Sequence, residues 1–323
     1  MQSYWIDGGT GALQLREVPK PVPAAGEILI RLKAAGLNRG EFILGHGLHK
    51  PGGVKPAGFE GSGEVVAVGP GVTEYKIGDA VMGRTTAGFA EFSTLALAET
   101  LRKPEALTWE EAAGASLTYW VAYDMVVTEG RIGPGDWVLV SAVSSGVGVA
   151  SMQIAKALGA KVIGTSGSKT KLERLKSLGL DVGVAVRGPG FLSAVMDATG
   201  GAGVRLAINN VGASVFPELV ASLAYRGAVG IVGYVDGSFN ATIDLNAVHV
   251  KRLRVFGVSN KVRPLAERGE TVAGFARDVL PLIARGVFKP PIDRVFDFTD
   301  LPAARAYMES DAQVGKIVVR MPA

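Results

Sequence analysis

The chain has 323 residues, more than one compact core usually takes, so two domains are expected. Apolar residues make up 48% and charged residues 20%, and no apolar run is long enough to span a bilayer, which fits a globular protein without a membrane partner. Net charge is +4 with Lys and Arg dispersed, which argues against nucleic acid, and the lack of any Cys excludes disulfides and thiolate metal sites and makes the cytoplasm the default location.

Met1 to Thr10 lacks a basic patch ahead of a hydrophobic run, so no secretory leader is expected. Short strands follow between Gly and Pro turns: 27–35, 61–69 closed by Gly69–Pro70–Gly71, and the last part of 75–82. That spacing predicts a small β-barrel or sandwich. At Thr108 the pattern changes. Glu111 stands three residues on, a capping box, and a long helix through about Thr128 is predicted. From Trp137 strand and helix alternate. Strands are predicted at 138–143, 161–165, 182–186, 204–209, 227–232 and 253–258, with helices at 147–158, 169–178, 190–198 and 215–223. Apolar strands joined by helices predict an α/β fold with a parallel sheet wound on both faces, and six strands match a full Rossmann count. Beyond about Val262 the tail carries a helix around 271–285 and strands at 295–298 and 316–320.

The stretch from Trp137 to Ser151 is an apolar run, a small-residue turn and an amphipathic helix. Such a turn brings backbone N–H groups to a pyrophosphate at a helix N-terminus, so Ser144, Ser145, Gly146 and Val147 are expected to bind a dinucleotide. An NAD enzyme places an acid at the end of the next strand, about twenty residues on, for the ribose 2′-hydroxyl. Here that strand runs into Thr165–Ser166–Gly167–Ser168–Lys169–Thr170–Lys171, with no acid. Hydroxyls and two Lys suit a 2′-phosphate, so NADPH is the expected cofactor. A cation at a helix N-terminus opposes the helix dipole, and a bound anion accounts for it better than solvation does.

With these elements placed, the chain resembles the zinc-independent quinone oxidoreductases of the medium-chain dehydrogenase/reductase superfamily over nearly its whole length. The marks, in order, are Ala34–Ala35–Gly36–Leu37–Asn38, the run Gly58 to Gly69, Lys76–Ile77–Gly78–Asp79–Ala80–Val81, the nucleotide turn, Gln153 to Ala160, and Gly315–Lys316–Ile317–Val318–Val319. The resemblance implies a GroES-like β-barrel catalytic domain over 1–123, a Rossmann doubly wound parallel sheet domain over 124–261, and a C-terminal return to the catalytic domain over 262–323. It places Asn38 near the nicotinamide and its ribose as the catalytic residue, and Ser166 and Lys171 at the 2′-phosphate. Further cofactor contacts are expected from Asn210, from Gly233 and Tyr234, and from Val258 and Ser259, each following a strand at the carboxyl edge where ligands bind. It also implies a homodimer paired through Leu253 to Val258, since an unpaired edge is a liability.

The chain departs from the family pattern at several points. The Gly-His-Glu signature of the zinc-dependent members reads Gly58–Phe59–Glu60, and His46 and His49 read as part of a Gly-rich loop, so no metal is expected. Ser145 stands where the zinc-free enzymes usually have Gly. It costs little if its φ is negative, and its hydroxyl can donate to a phosphate. Val186 replaces a Tyr that many relatives place near the 2′-phosphate, with Arg187 beside it. Ile43, Gly45 and Val121 replace a Tyr, an Arg and a Thr of relatives.

Without a Lewis acid, acceptors that take hydride readily fit best. The expected activity is therefore NADPH-dependent transfer of hydride to a quinone or an α,β-unsaturated carbonyl compound. Asn38 is expected to hydrogen-bond the substrate oxygen or the ribose, and the proton to come from solvent, His46, His49 or Tyr119. Two alternatives stay open: an NADP-dependent alcohol/carbonyl oxidoreductase, and an NADPH-binding sensor with little turnover.

Overall fold

The computed structural model describes residues 1–43 and 53–322; Gly45, His46 and His49 lie outside the described residues. The chain forms two compact units, Met1–Trp120 with Asn260–Ala323, and Val121–Ser259.

The first unit opens with β1 (Gln2–Asp7), β2 (Leu13–Glu17), β3 (Glu27–Gly36), β4 (Val54–Pro56), β5 (Glu60–Val68), β6 (Ala80–Arg84), β7 (Phe92–Ala96) and β8 (Thr100–Arg102). β1 pairs with both β2 and β4 in a small sheet. β3 is the spine of the larger one, and Ile28, Ile30 and Leu32 on it join Val65, Val81, Phe89 and Leu95 in one apolar core. The chain then enters α1 (Trp109–Ala115) and α2 (Leu117–Tyr123). The capping box forms as expected: the Glu111 N–H donates to Thr108 Oγ1 at 3.1 Å and the Thr108 N–H to the Glu111 carboxylate at 2.9 Å. The single long helix does not. Ser116 breaks it, with φ −76 and ψ −109, and a π-turn over Asp124–Glu129 follows α2. The Ser116 hydroxyl donates back to the Ala112 carbonyl at 3.2 Å, a bond that competes with continued helix.

The second unit holds β9 (Trp137–Val140), α3 (Gly146–Ala157), β10 (Lys161–Ser166), α4 (Lys169–Lys176), β11 (Val182–Ala185), α5 (Leu192–Ala198), β12 (Val204–Asn209), α6 (Phe216–Ala221), β13 (Leu223–Ile231), α7 (Leu245–Lys251) and β14 (Arg254–Gly257). All neighbouring strands are parallel, in the order β11-β10-β9-β12-β13-β14. That is the 3-2-1-4-5-6 order of the doubly wound dinucleotide-binding sheet. Leu139, Ile163, Ala207 and Val229 form its buried spine with Phe191, Leu219 and Val220 from the helical layer. The first strand ends at Val140, earlier than the apolar pattern predicts, because Ala142 takes a left-handed φ of 48.

The tail returns to the first unit. It contains α8 (Leu265–Asp278), α9 (Leu280–Ala284), β15 (Ile292–Asp297), α10 (Leu301–Glu309) and β16 (Lys316–Arg320). The one helix predicted around 271–285 is two, since Pro281 sits in the first turn of α9 and cannot continue the hydrogen bonding of α8. β16 pairs in parallel with β15 and antiparallel with β3, completing the sheet β15-β16-β3-β5-β6-β8. Among the described residues no helix is long and apolar enough to cross a membrane.

Candidate functional site

In the second unit the turn between β9 and α3 is fastened on both sides. The Val143 N–H donates to the Thr165 carbonyl at 3.0 Å, and the Ser141 N–H to the Ile208 carbonyl at 3.0 Å. From the end of β12, the Asn210 N–H donates to Ser141 Oγ at 2.9 Å and its Nδ2 to the Ser141 carbonyl at 2.8 Å. These two bonds tie Asn210 to the turn. A left-handed Ala costs roughly 1–2 kcal/mol, so Ala142 is held in place by these ties. A Cβ on Gly148 would lie 2.7 Å from the carbonyl oxygens of both Ala142 and Val143, so the close approach of α3 to the turn requires glycine there.

Ser145 has φ −70 and is the N-cap of α3; its Oγ accepts the Gly148 N–H at 3.1 Å. Acting as acceptor leaves the hydroxyl proton free to donate. The N–H groups of Gly146 and Val147 lie in the first helical turn, beyond reach of any carbonyl of their own helix. Two backbone donors, a hydroxyl and the positive end of a helix dipole suit a pyrophosphate.

The next strand end carries a second set of donors. Ser166 is buried and its Oγ accepts the Ser168 N–H at 3.3 Å; Ser168 caps α4, accepting the Lys171 N–H at 3.3 Å. Arg187, beyond β11, lies across this segment, and a Cβ on Gly167 would meet its Nε at 3.0 Å. The residues 166–171, with Arg187 over them, hold hydroxyls and cations and no acid. That donor set fits a 2′-phosphate. Gly233 and Tyr234 follow β13, and Val258 and Ser259 follow β14, so they share the carboxyl edge with both donor sets. The Tyr234 ring packs on Phe239 with centroids 5.0 Å apart, and Val258 is buried.

The first unit holds a polar cluster built from four elements around Asn38. Lys316, at the start of β16, is 3% exposed and pairs with Glu60, at the start of β5, which is 0% exposed. The Lys316 ammonium also reaches the Leu37 carbonyl at 2.8 Å, Asn38 Oδ1 at 3.0 Å and Thr118 Oγ1 at 3.0 Å. Asn38 Oδ1 accepts the Thr118 hydroxyl at 3.1 Å as well. Asn38 Nδ2 donates to Glu41 Oε1 at 2.8 Å and to Glu60 Oε1 at 3.1 Å. An asparagine side chain has two N–H groups and two lone pairs, and here all four are engaged within the protein. The break at Ser116 matters for this cluster. It makes Thr118 part of a new first helical turn, and its unspent N–H donates to Glu60 Oε2 at 3.3 Å. Gly36 is the other requirement, since a Cβ there would lie 2.5 Å from Glu60 Oε1.

Burial pushes the Glu41 carboxyl up to about 8, with the Glu60 charge adding to the rise and the bond from Asn38 and the Lys316 charge opposing it. Lys55, on β4, is lowered by burial and partly restored by the Glu41 charge. Tyr119 is buried and stacked on Phe288, 6.2 Å between centroids, and burial raises its hydroxyl well above the ordinary tyrosine value. Glu41, Glu60, Thr118 and Lys316 were not expected as site residues. Their signal in the sequence is an ionisable or hydroxyl group set in a run of small or apolar neighbours, such as Lys316 ahead of Ile317–Val318–Val319. Among the described residues no group of three or more His, Cys, Asp or Glu is arranged to hold a metal ion.

Two family models match the chain. "Alcohol dehydrogenase GroES-like domain" covers residues 24–117 and "Zinc-binding dehydrogenase" covers residues 146–268. The second stretch contains His249 and no other His or Cys. The human synaptic vesicle membrane protein VAT-1 homolog is 30% identical over 95% of this chain and 82% of its own length. The highly reducing polyketide synthase lcsB of Purpureocillium lilacinum is 29% identical over 92% of this chain, which spans only 12% of that protein. Among solved structures, mycobacterial Rv1454c complexed with NADPH superposes with a TM-score of 0.87 at 29% identity, over 99% of this chain and 100% of the other. The CurK enoyl reductase gives 0.85 at 28% identity over 99% of each chain, and an NAD-dependent alcohol dehydrogenase gives 0.86 at 30% over 100% of each.

Proposed function

We propose that this chain, which belongs to the medium-chain dehydrogenase/reductase superfamily, binds NADPH and transfers its hydride to a quinone or an α,β-unsaturated carbonyl compound. It is an oxidoreductase of that superfamily. The observation that carries the cofactor reading is the acid-free segment 166–171 with Arg187 laid across Gly167, next to the turn whose Gly146 and Val147 N–H groups await an anion. NADPH supplies the hydride when bound. The chain's own part is to hold the pyrophosphate at the N-terminus of α3, to hold the 2′-phosphate with Ser166, Lys171 and Arg187, and to keep the carboxyl edge of the sheet in shape through Asn210. Asn38 serves as a positioning residue, because its amide is saturated by Glu41, Glu60, Thr118 and Lys316.

The acceptor class is supported by the replacement of His by Phe59 in the Gly-Phe-Glu signature and by the enoyl reductase among the similar structures. The similar NAD-dependent alcohol dehydrogenase supports the alternative of alcohol–carbonyl chemistry. Following NADPH oxidation across quinones, enones, aldehydes and simple ketones separates the two. Turnover confined to quinones and enones, with NADPH preferred over NADH, is the expected outcome. Turnover with simple ketones only, or a preference for NADH, overturns it. NADPH binding without turnover on any acceptor would favour the sensor reading instead.

A further inference from the structure

A second ionic cluster of the first unit is unbalanced. Glu99, in the turn between β7 and β8, is buried and faces two guanidinium groups. Arg268 on α8 takes both of its oxygens, Nε to Oε1 at 2.7 Å and Nη2 to Oε2 at 3.1 Å. That two-point pairing commits the Glu99 charge to Arg268. Arg84, at the end of β6, has five N–H groups and, among the described residues, one long bond, to Glu99 Oε1 at 3.4 Å. Its guanidinium lies over the ring of Phe59, 5.8 Å from the centroid. Two cations and one carboxylate leave one positive charge in excess, and the Arg84 side chain, 20% exposed, is still open to a ligand. The cluster stands beside the one around Asn38. Phe59 directly precedes Glu60, the Thr85 N–H donates to the Phe59 carbonyl at 3.0 Å, and Arg84 pairs across the ladder with Glu60 itself. Glu60 does not cancel the excess, because Lys316 already holds it.

We infer that Arg84 is a specificity-determining residue that selects acceptors carrying a carboxylate, which it receives with the N–H groups that Glu99 leaves unspent. That the carboxylate belongs to a hydride acceptor rests on the reductase reading above; the anion site itself does not. The charge count sets the class. A monoanion cancels the excess charge, whereas a dianion such as a phosphate monoester brings its second charge against Glu99. The planar guanidinium matches the two oxygens of a carboxylate. The ring of Phe59 beside it offers an apolar face to the conjugated carbon skeleton of a quinone or an enone. A partly buried cation is also screened less by salt than one on an open surface.

The matched pair 3-benzoylacrylate and its methyl ester tests this, since both carry the same enone and only the acid carries a charge. The chain has no Cys for the enone to alkylate. Intrinsic reactivity differs between the two, so the readout is the acid-to-ester ratio of kcat/KM with NADPH, compared between wild type and Arg84→Met. The variant is expected to lower that ratio roughly tenfold or more, through the KM of the acid, with Arg84→Lys falling between. An unchanged ratio overturns the inference, including the case in which both acceptors slow equally and Arg84 only braces Glu99. If Arg84→Met does not fold, Arg84→Gln removes the same charge while keeping a polar side chain, and the same comparison decides. Binding without turnover separates this inference from the reductase reading. The saturated analogue 3-benzoylpropionate and its methyl ester are titrated by calorimetry into the protein in the presence of NADP⁺. Tighter binding of the acid in wild type, lost in Arg84→Met, is expected. If wild type reduces neither acceptor, that binding difference still upholds the anion site while the reductase reading falls. Equal binding of the acid by the two proteins overturns the site.

Discussion

At the scale of single residues, the chemistry is set by which polar groups are already spent. Lys316 and Glu60 are both buried, and removing one partner of such a pair leaves a charge with no compensation. Lys316→Met is expected to cost about 3–5 kcal/mol in urea denaturation, while the double variant Lys316→Met with Glu60→Gln costs clearly less, because no unpaired charge remains. Equal losses in the two variants would mean that the packing of the Lys316 stem, not its charge, holds the site together. Arg187 acts outside this cluster. Its guanidinium lies over Gly167, and a charge-assisted bond to phosphate carries about 1.5–3 kcal/mol, so Arg187→Ala is expected to raise the NADPH Kd roughly tenfold or more and leave the NADH Kd unchanged. Titration of both cofactors by fluorescence checks this. The sequence offers Arg187, beside Val186, as a stand-in for the missing Tyr at the 2′-phosphate; that it reaches Gly167 depends on how two adjacent parallel strands end. Asn38 stands out in the sequence as a candidate because it follows a strand segment in a motif that resembles the family's. Its saturation is not legible, since its four partners come from the turn after it, β5, α2 and β16, up to 278 residues away.

Single elements show where periodicity speaks and where it fails. The turn into α3 was readable because small residues, an apolar strand and an amphipathic helix coincide there. Its unusual Ser145 has two roles that can be pulled apart. As N-cap it accepts the Gly148 N–H, and replacing a serine cap by Ala costs about 1 kcal/mol but by Gly only a few tenths. As a phosphate donor its hydroxyl is lost equally in both. Ser145→Ala is therefore expected to be less stable than Ser145→Gly by thermal melting, while calorimetry shows the same weakening of NADPH binding in each. Equal NADPH affinity for Ser145→Gly and wild type would limit the hydroxyl to capping. The long helix expected from Thr108 is broken for a different reason. Its apolar residues continue through Ser116, and the break comes from a side chain bonding back to Ala112, which leaves no mark on the hydrophobic pattern. The break is what presents the Thr118 N–H to Glu60. α7 was not predicted at all. It has no buried residue and hence no apolar stripe to read, and Asp244 starts it by accepting the N–H groups of Asn246 at 2.9 Å and Ala247 at 3.1 Å.

For the molecule as a whole, the strand order was implied by alternating elements, but the fate of the sheet edge was not. β14 is the last strand, and among the described residues it pairs only with β13. An edge of this kind is usually blunted by charge, proline or a covering element. Here Arg254 is drawn to the Glu129 carbonyl, Val255 is 46% exposed, and the preceding α7 has no fully buried residue, with Val250 63% exposed. Apolar side chains beside open backbone donors and acceptors favour pairing with a second copy across a two-fold axis, which joins the two sheets into one and removes both edges. The protein is therefore expected to be a homodimer at micromolar concentration in light scattering. Val255→Lys places a charge on the edge that opposes its own symmetry mate, and it is expected to shift the species to monomer while leaving the circular dichroism of the fold intact. The phosphate contacts of NADPH should survive in that monomer, because the turn at α3 and the segment 166–171 follow the first two strands of the nucleotide fold, β9 and β10, on the far side of β12 and β13 from that edge. A wild-type monomer, or a Val255→Lys variant that stays dimeric, would place the association surface elsewhere than on β14.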